Sequence, residues 1–117
     1  MKIYCNKSEL YRALNNAIQA VPSRSTSKIL EGVLIETKED EMIITGTDTF
    51  MVVESKLSAK CDGIADFVAP AALFANIIGK LPAEDVMMEY DSVKRVLSIQ
   101  SGRYRSEVIC FDSAEFP

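Results

Sequence analysis

The clearest pattern along the chain is an apolar stripe between residues 7 and 21. Apolar side chains recur there at intervals of three and four, which is the spacing of one face of an α-helix. Ser8 is the predicted N-cap, and Glu9 lies in the first turn, where the helix dipole stabilises a negative charge. Pro22 ends the helix, because proline disfavours helical backbone in the residue before it. The stripe consists of Leu10, Ala13, Leu14, Ala17, Ile18 and Val21.

Short apolar runs around this helix predict β-strands that are separated by polar turns. A polar loop at 22–28 follows the helix, and an acidic turn at 39–41 lies between two of the strands. Gly46 predicts a bend or bulge inside the strand ladder. The segment 58–63 is predicted to be a loop. The predicted strands of this half are 2–5, 29–38, 42–46 and 49–57.

The same order of elements then returns in the second half of the chain. A strand is predicted at 64–69, and a helix at 70–81 follows, with Pro70 near its first turn and Pro82 beyond its end. Gly102 separates the last two strands. The apolar stripe of this helix consists of Leu73, Phe74, Ile77, Ile78 and Leu81, and the remaining strands are 85–90, 96–101 and 103–111.

Each half therefore has the order strand, helix, strand, strand, strand, with an offset of 53 or 54 residues between the halves. Such an internal repeat indicates that the fold is built from two similar structural units. It predicts an α+β fold made of a duplicated βαβββ unit, with two helices covering one face of antiparallel sheets and the other face solvated. Because identity between the halves is low, a chance likeness of two α+β halves stays open as the alternative.

Length and composition fit one globular domain. The chain has 117 residues, of which 48% are hydrophobic and 26% are charged. It has no apolar run of membrane-spanning length, and its first residues are too polar for a signal peptide, so a cytoplasmic protein without a membrane partner is expected. Cys5, Cys61 and Cys110 are scattered and odd in number, which favours reduced, buried thiols.

The absence of histidine excludes the Ser-His-Asp and Cys-His classes of catalytic site and most zinc sites. No metal and no cofactor are predicted, and the acidic turn at 38–41 is interpreted as a solvated hairpin. The net charge of −4 argues against a tight, sequence-specific nucleic-acid binder. It leaves room for loose contact through a few well-placed cations.

Five segments in order carry a resemblance to a known family. They are "SRSTSKIL", "TGTD", "VAPAALFANIIGKLP", "SGRYR" and the terminal "AEFP". Together with the duplicated βαβββ unit, they resemble the N-terminal domain of the bacterial sliding clamp, the β subunit of DNA polymerase III. The likeness covers residues 1–117 nearly without gaps.

The resemblance implies the DNA clamp (processivity) fold and a role without catalysis. Chains of three similar domains form a head-to-tail homodimer ring that encircles double-stranded DNA and tethers the polymerase. Residues 1–117 would be the first of those three domains, in a piece of a longer protein. The DNA polymerase III catalytic subunit and the clamp loader would bind through the later domains.

Within the family, helices line the hole of the ring, so the polar helix faces are expected to meet DNA weakly. Arg24 occupies the arginine position of a loop that the family uses to touch DNA, although the simpler reading is a solvated loop arginine. Two prolines typical of this loop are replaced, and Lys28 adds a cation. Arg12, Lys7 and Lys80 are weaker candidates. Ala72 and Leu73 replace two basic residues common in the family, which puts their contribution in doubt.

The last strand resembles the edge strand that the family pairs with the third domain of the next subunit. Arg103 and Arg105 match basic positions that meet partner carboxylates, and Val108 matches an apolar interface position. Ser106 stands where relatives often carry phenylalanine, which weakens the anchor. The alternative reading is that charges on an edge strand discourage aggregation, and the two readings are compatible.

Two rival functions stay open from the residues alone. An enzyme would need carboxylates such as Asp48 with Asp62 or Glu89 to converge in a pocket, and no spacing demands it. A free-standing interaction module would use its exposed sheet edge to bind a protein. Asp48 is interpreted as structural: with Thr45 or Thr47, it can satisfy local backbone groups.

Overall fold

A computed structural model describes residues 1–25 and 27–117, so Thr26 of the predicted loop at 22–28 lies outside the described residues. The described part contains two α-helices and nine strands, with short 3-10 helices at Lys28–Glu31 and Ser113–Glu115. In chain order the elements are β1 (Lys2–Asn6), α1 (Lys7–Ile18), β2 (Gly32–Thr37), β3 (Glu41–Thr47), β4 (Val52–Ser58), β5 (Lys60–Cys61), β6 (Asp66–Pro70), α2 (Ala71–Gly79), β7 (Asp85–Asp91), β8 (Val96–Ser101) and β9 (Tyr104–Ile109).

The strands form two antiparallel sheets whose orders are β5-β1-β7-β8-β9 and β4-β3-β2-β6. The first strand of each half joins the sheet of the other half, since β1 pairs with β7 and β6 pairs with β2. Neither half can therefore complete its sheet alone. The predicted α+β fold with a duplicated βαβββ unit is confirmed, and β5 is an additional short strand.

One hydrophobic core joins both sheets to both helices. Four residues of the predicted α1 stripe are fully buried, and α2 buries three residues on its inner side. The Phe67 ring of β6 stacks on the Tyr90 ring of β7 with centroids 4.0 Å apart, which links the two sheets directly. The buried helix residues are Leu10, Ala13, Leu14 and Ala17 in α1 and Ala71, Phe74 and Ile78 in α2.

The N-cap prediction was wrong. Asn6, not Ser8, caps α1, because its side-chain oxygen accepts the backbone N–H of Glu9 at 3.2 Å. Ser8 instead donates its hydroxyl to Glu84. That residue is 76 positions away, so local sequence patterns cannot predict the contact.

Several element boundaries also differ from the predictions. Helix α1 ends at Ile18, three residues earlier than the stripe suggests, and α2 is shorter at both ends than 70–81. The segment 58–63, expected to be a loop, contains β5, which pairs with β1. The strand expected at 29–38 begins only at Gly32, because residues 28–31 form a 3-10 helix.

Gly46 does not mark a bend or bulge, so that prediction was wrong as well. The pairing of β3 with β4 runs without interruption from Glu41 opposite Ser58 to Thr47 opposite Val52. A Cβ built on Gly46 would lie 2.2 Å from the carbonyl oxygen of Ala17. The glycine is needed because the end of α1 packs directly on the strand backbone.

We expect Gly46→Ala to destabilise the fold by about 2 kcal/mol or more, because the methyl group would force α1 away from β3. Gly63→Ala is the matched control, since its Cβ would meet only the flexible side chain of Met1 at 3.0 Å. Chemical denaturation of both variants measures the effect. Equal stability of the two variants would contradict the close packing at Gly46.

Candidate nucleic-acid and subunit surfaces

The two helices form a continuous layer with an exposed polar surface. Tyr11 of α1 packs against Gly79 of α2, where a Cβ built on the glycine would lie 3.1 Å from the tyrosine ring. Amides outnumber charges on this surface, and Leu73 adds an apolar side chain that is 49% exposed. The exposed residues are Ser8, Glu9, Tyr11, Arg12, Asn15 and Asn16 on α1, Gln19 just past it, Ala72, Leu73, Asn76 and Gly79 on α2, and Lys80 just past α2.

Two of the cations that are candidates for DNA contact already donate hydrogen bonds to backbone carbonyl oxygens of the protein. The Lys7 ammonium is half-buried and donates to the backbone oxygen of Leu81 at 2.7 Å, just past the end of α2. The Arg12 guanidinium is exposed and donates to the backbone oxygen of Lys56 on β4 at 3.1 Å. Lys7 therefore ties α1 to the segment after α2, and Arg12 ties α1 to β4.

A carboxylate lies at the N-terminus of α1. Both oxygens of Glu84 accept the Ser8 hydroxyl, at 3.0 and 2.9 Å, and one oxygen also accepts the Ser8 backbone N–H at 3.4 Å. These bonds, with smaller contributions from Asn6 and the charge of Lys7, hold the pKa of Glu84 below its ordinary value of 4.5. The arrangement places a negative charge at the positive end of the helix dipole.

The segment after α1 carries two of the three remaining candidate cations, Arg24 and Lys28, and both are exposed. Lys28 lies 3.6 Å from a carboxylate oxygen of Glu31 in the 3-10 helix. The backbone N–H of Ser25 donates to the same carboxylate at 3.3 Å, which ties the loop to that helix. Within the described residues, Arg24 has no ion pair, so its guanidinium is open to a ligand.

The turn between β3 and β4 is held by side-chain hydrogen bonds. One carboxylate oxygen of Asp48 accepts the backbone N–H groups of Phe50 and Met51, at 2.9 and 2.8 Å. Thr47 donates its hydroxyl to the Met51 carbonyl at 2.7 Å. The structural interpretation of Asp48 is confirmed, and its partner is Thr47 rather than Thr45. The two N–H bonds hold the pKa of Asp48 below its ordinary value.

Strand β9 is the last strand in its sheet, and within the described residues no strand of this chain pairs with its outer edge between Tyr104 and Ile109. Beyond that segment, Phe111 exchanges two backbone hydrogen bonds with Val68 of β6, at 2.8 and 3.1 Å. Those bonds join the edges of the two sheets at one point. The six residues of β9 are left as the accessible edge.

Alternation along β9 divides the predicted interface residues between its two faces. Arg103, just before the strand, and Arg105 are exposed, whereas the hydroxyl oxygen of Ser106 is buried and has no hydrogen-bond partner among the described residues. Val108 is 1% exposed, and its side chain packs in the domain core. Ile109, 74% exposed, is the apolar residue on the outer face. Because side chains alternate along a strand, Arg105 and Ile109, four residues apart, lie on the same face of β9.

The carboxylates of the enzyme hypothesis do not converge with Asp48. Asp62 accepts the backbone N–H of Lys2 at 2.7 Å, and Glu89 is paired with Lys2 across β1 and β7, whereas Asp48 belongs to the turn of the other sheet. The described residues hold no cluster of three or more potential metal ligands among His, Cys, Asp and Glu.

The three cysteines are free thiols. Burial raises the pKa of Cys5 and of Cys110 to about 12, so both stay protonated at neutral pH. The prediction of buried thiols is confirmed for Cys110, whereas Cys5 and Cys61 are only partly buried. Neither described helix has the length and apolar character that crossing a bilayer requires.

Comparison with known proteins shows that this chain is similar to one protein family. Residues 1–117 match the family model of the DNA polymerase III beta subunit, N-terminal domain. The beta sliding clamp of Synechococcus elongatus is 30% identical over 120 residues, which is 100% of this chain and 32% of that protein.

Solved structures give the same result. The DNA polymerase sliding clamp from Bacillus subtilis has a TM-score of 0.94 at 27% identity, over 100% of this chain and 33% of that chain. The Caulobacter crescentus pol III beta structure has a TM-score of 0.93 at 29% identity, over 100% and 32%. The chain thus spans about a third of the length of the relatives it matches.

We expect Glu84→Gln to lower the free energy of unfolding at neutral pH, because the amide carries no charge toward the helix dipole. Since the folded pKa is depressed, the stabilisation by Glu84 is complete above its ordinary pKa of 4.5 and is lost as the pH falls through the lower folded pKa. Denaturation from neutral to acidic pH should show the two proteins converging in stability. Glu107→Gln on β9 is the control, and a Glu84→Gln difference that persists unchanged in acid would contradict the assignment.

Proposed function

The chain belongs to the family of DNA polymerase III beta subunit N-terminal domains, and from this premise we propose that it forms one domain of a sliding clamp. The clamp would be a DNA polymerase processivity factor, a ring that encircles duplex DNA and tethers the replicative polymerase. The observation that carries the proposal is the match of residues 1–117 to the family, with a fold that superposes on a sliding clamp at a TM-score of 0.94.

The helix layer is the surface that would face DNA in the ring. A clamp that slides has to avoid dense phosphate pairing, because each neutralised phosphate adds affinity and salt dependence. This layer suits that need, since its exposed surface is rich in amides and two of its candidate cations donate to protein carbonyls. Contact with DNA would be weak and independent of sequence.

Arg24 would be the principal DNA contact, because it is exposed and free of ion pairs among the described residues. Lys28 would add a second, weaker cation, since its ammonium already lies near Glu31. Arg12 and Lys80 would contribute from the helix layer. Lys7 would contribute least, because its ammonium is half-buried and hydrogen-bonded.

The accessible edge of β9 would form the joint of a head-to-tail homodimer ring. Backbone groups there can continue the sheet into a partner domain, and Arg103 and Arg105 can meet carboxylates on that partner. Ile109 would supply apolar contact on the outer face, while Ser106 and Val108 would take part through their backbone groups.

The remaining parts of the proposal follow from the clamp role. The chain would act without catalysis and without a cofactor, in the cytoplasm. Its partners would be double-stranded DNA, and, through domains beyond these residues, the DNA polymerase III catalytic subunit and the clamp loader.

A protein-interaction module is the second candidate function. The observation that favours it is the accessible β9 edge, which ends in Ile109 at 74% exposure. Such an edge can accept an extended peptide as an added strand. Affinity for duplex DNA through Arg24 separates the two functions, because the module has no need of it.

We expect Arg24→Ala to weaken binding of the 117-residue chain to a blunt duplex. The slope of log affinity against log salt should become shallower by about 0.9, the effect of one lost phosphate contact. Fluorescence anisotropy with a labelled duplex at low salt measures both quantities. Arg103→Ala is the matched control, since it removes the same charge from β9. Equal losses in the two variants would contradict a specific role for Arg24.

A further inference from the structure

We propose that Phe50 is a stacking contact for an unpaired nucleobase, next to the loop that carries Arg24. The ligand is a single-stranded segment of DNA where it leaves a duplex. This inference rests on the proposed function and deepens it, because it adds a contact to the unpaired strand beside a contact to the duplex.

The Phe50 side chain is almost fully exposed to solvent. It is 96% exposed, the largest exposure among the large hydrophobic residues that the structure leaves uncovered. Met51 and Val52, which follow it, are 46% and 64% exposed. A protruding aromatic ring at a loop tip offers both faces to a flat partner, as a base does.

The turn presents the Phe50 ring in a fixed position. Asp48 accepts two backbone N–H groups and Thr47 binds the Met51 carbonyl, as described above. Thr49 has a φ of 80°, a left-handed conformation that costs a β-branched residue free energy. Because the turn is already ordered, stacking on the ring requires little further ordering of the protein.

The strand register brings this turn to the same end of the sheet as the Arg24 loop. Leu34 of β2 is opposite Thr45 of β3, so continuing the register puts Gly32 level with Thr47. The 3-10 helix Lys28–Glu31 ends immediately before Gly32, and the turn begins immediately after Thr47. Both segments therefore leave the sheet at one end.

Two further contacts place Arg24 at that end. Val21 packs against β3 at Gly46, where a Cβ built on the glycine would lie 2.9 Å from Val21 Cγ2. Ser25, the neighbour of Arg24, is hydrogen-bonded to Glu31. The aromatic ring and the free guanidinium are thus presented by adjacent segments.

The local charges favour a nucleic acid over an apolar protein pocket. The carboxylate of Asp48 is engaged by two N–H groups, and that of Glu31 by Lys28 and Ser25. Within the segments 22–31 and 47–52, Arg24 is the cation that has no ion pair among the described residues. An aromatic ring beside a cation that binds phosphate is the pairing that single-strand binding surfaces use. In a duplex the bases are already stacked, so only unpaired bases can reach the ring.

A tryptophan substitution tests the contact directly, because the chain contains no tryptophan. Phe50→Trp creates a single fluorophore at the proposed site. Val93→Trp creates the matched control in the turn between β7 and β8, at a residue that is 92% exposed. The probes are a short duplex with a single-stranded thymidine overhang and the same duplex with blunt ends.

We expect the overhang DNA to quench the Phe50→Trp fluorescence in a saturable manner, and the blunt duplex to leave it nearly unchanged. Val93→Trp should respond to neither DNA. Phe50→Ala should weaken binding of the overhang DNA at least about fivefold, with Phe50→Tyr retaining it, while affinity for the blunt duplex stays the same.

Unchanged affinity of Phe50→Ala for the overhang DNA, or equal quenching in the two tryptophan variants, would overturn the proposal. If Arg24→Ala still weakens binding of the blunt duplex in that case, the proposed clamp function stands and only the stacking contact fails. If the wild-type chain binds neither DNA, the proposed DNA contact itself fails together with the inference.

Discussion

The exchange of first strands between the two halves is the constraint on which the rest of the structure depends. Because β1 completes the sheet of β7–β9 and β6 completes the sheet of β2–β4, neither half has a finished sheet without the other. The Phe67–Tyr90 stack sits where those sheets meet, and the buried sides of both helices cover the shared core. This arrangement leaves a polar helix layer on one surface and puts β9 and β4 each at one end of a sheet, with β5 and β6 at the opposite ends.

The fold was predictable because its signals are local or periodic. The α1 stripe, the alternation along the strands and the internal repeat together specify the duplicated βαβββ unit. What the sequence could not supply depends on contacts between distant residues. The Ser8–Glu84 bond, the pairing of β5 with β1 and the approach of Ala17 to Gly46 each join segments far apart in the chain.

The candidate DNA surface carries few cations that are free to bind a ligand. The positions of the cations were readable from the sequence, but their hydrogen bonds were not. Lys7 and Arg12 donate to carbonyls and Lys28 lies near Glu31, which leaves Arg24 and Lys80 as the candidates with neither ion pair nor carbonyl partner among the described residues. Under the proposed clamp function, such sparse contact would leave the ring held on DNA by topology and not by affinity.

Retention of the full-length gene product on DNA of different topology tests the account most directly. The protein is loaded on nicked circular DNA, and its release is followed before and after the circle is cut with a restriction enzyme. A ring built from domains of this kind should stay on the intact circle and leave quickly through the ends of the linear molecule. Equal release from circular and linear DNA would contradict the clamp and would favour the protein-interaction module.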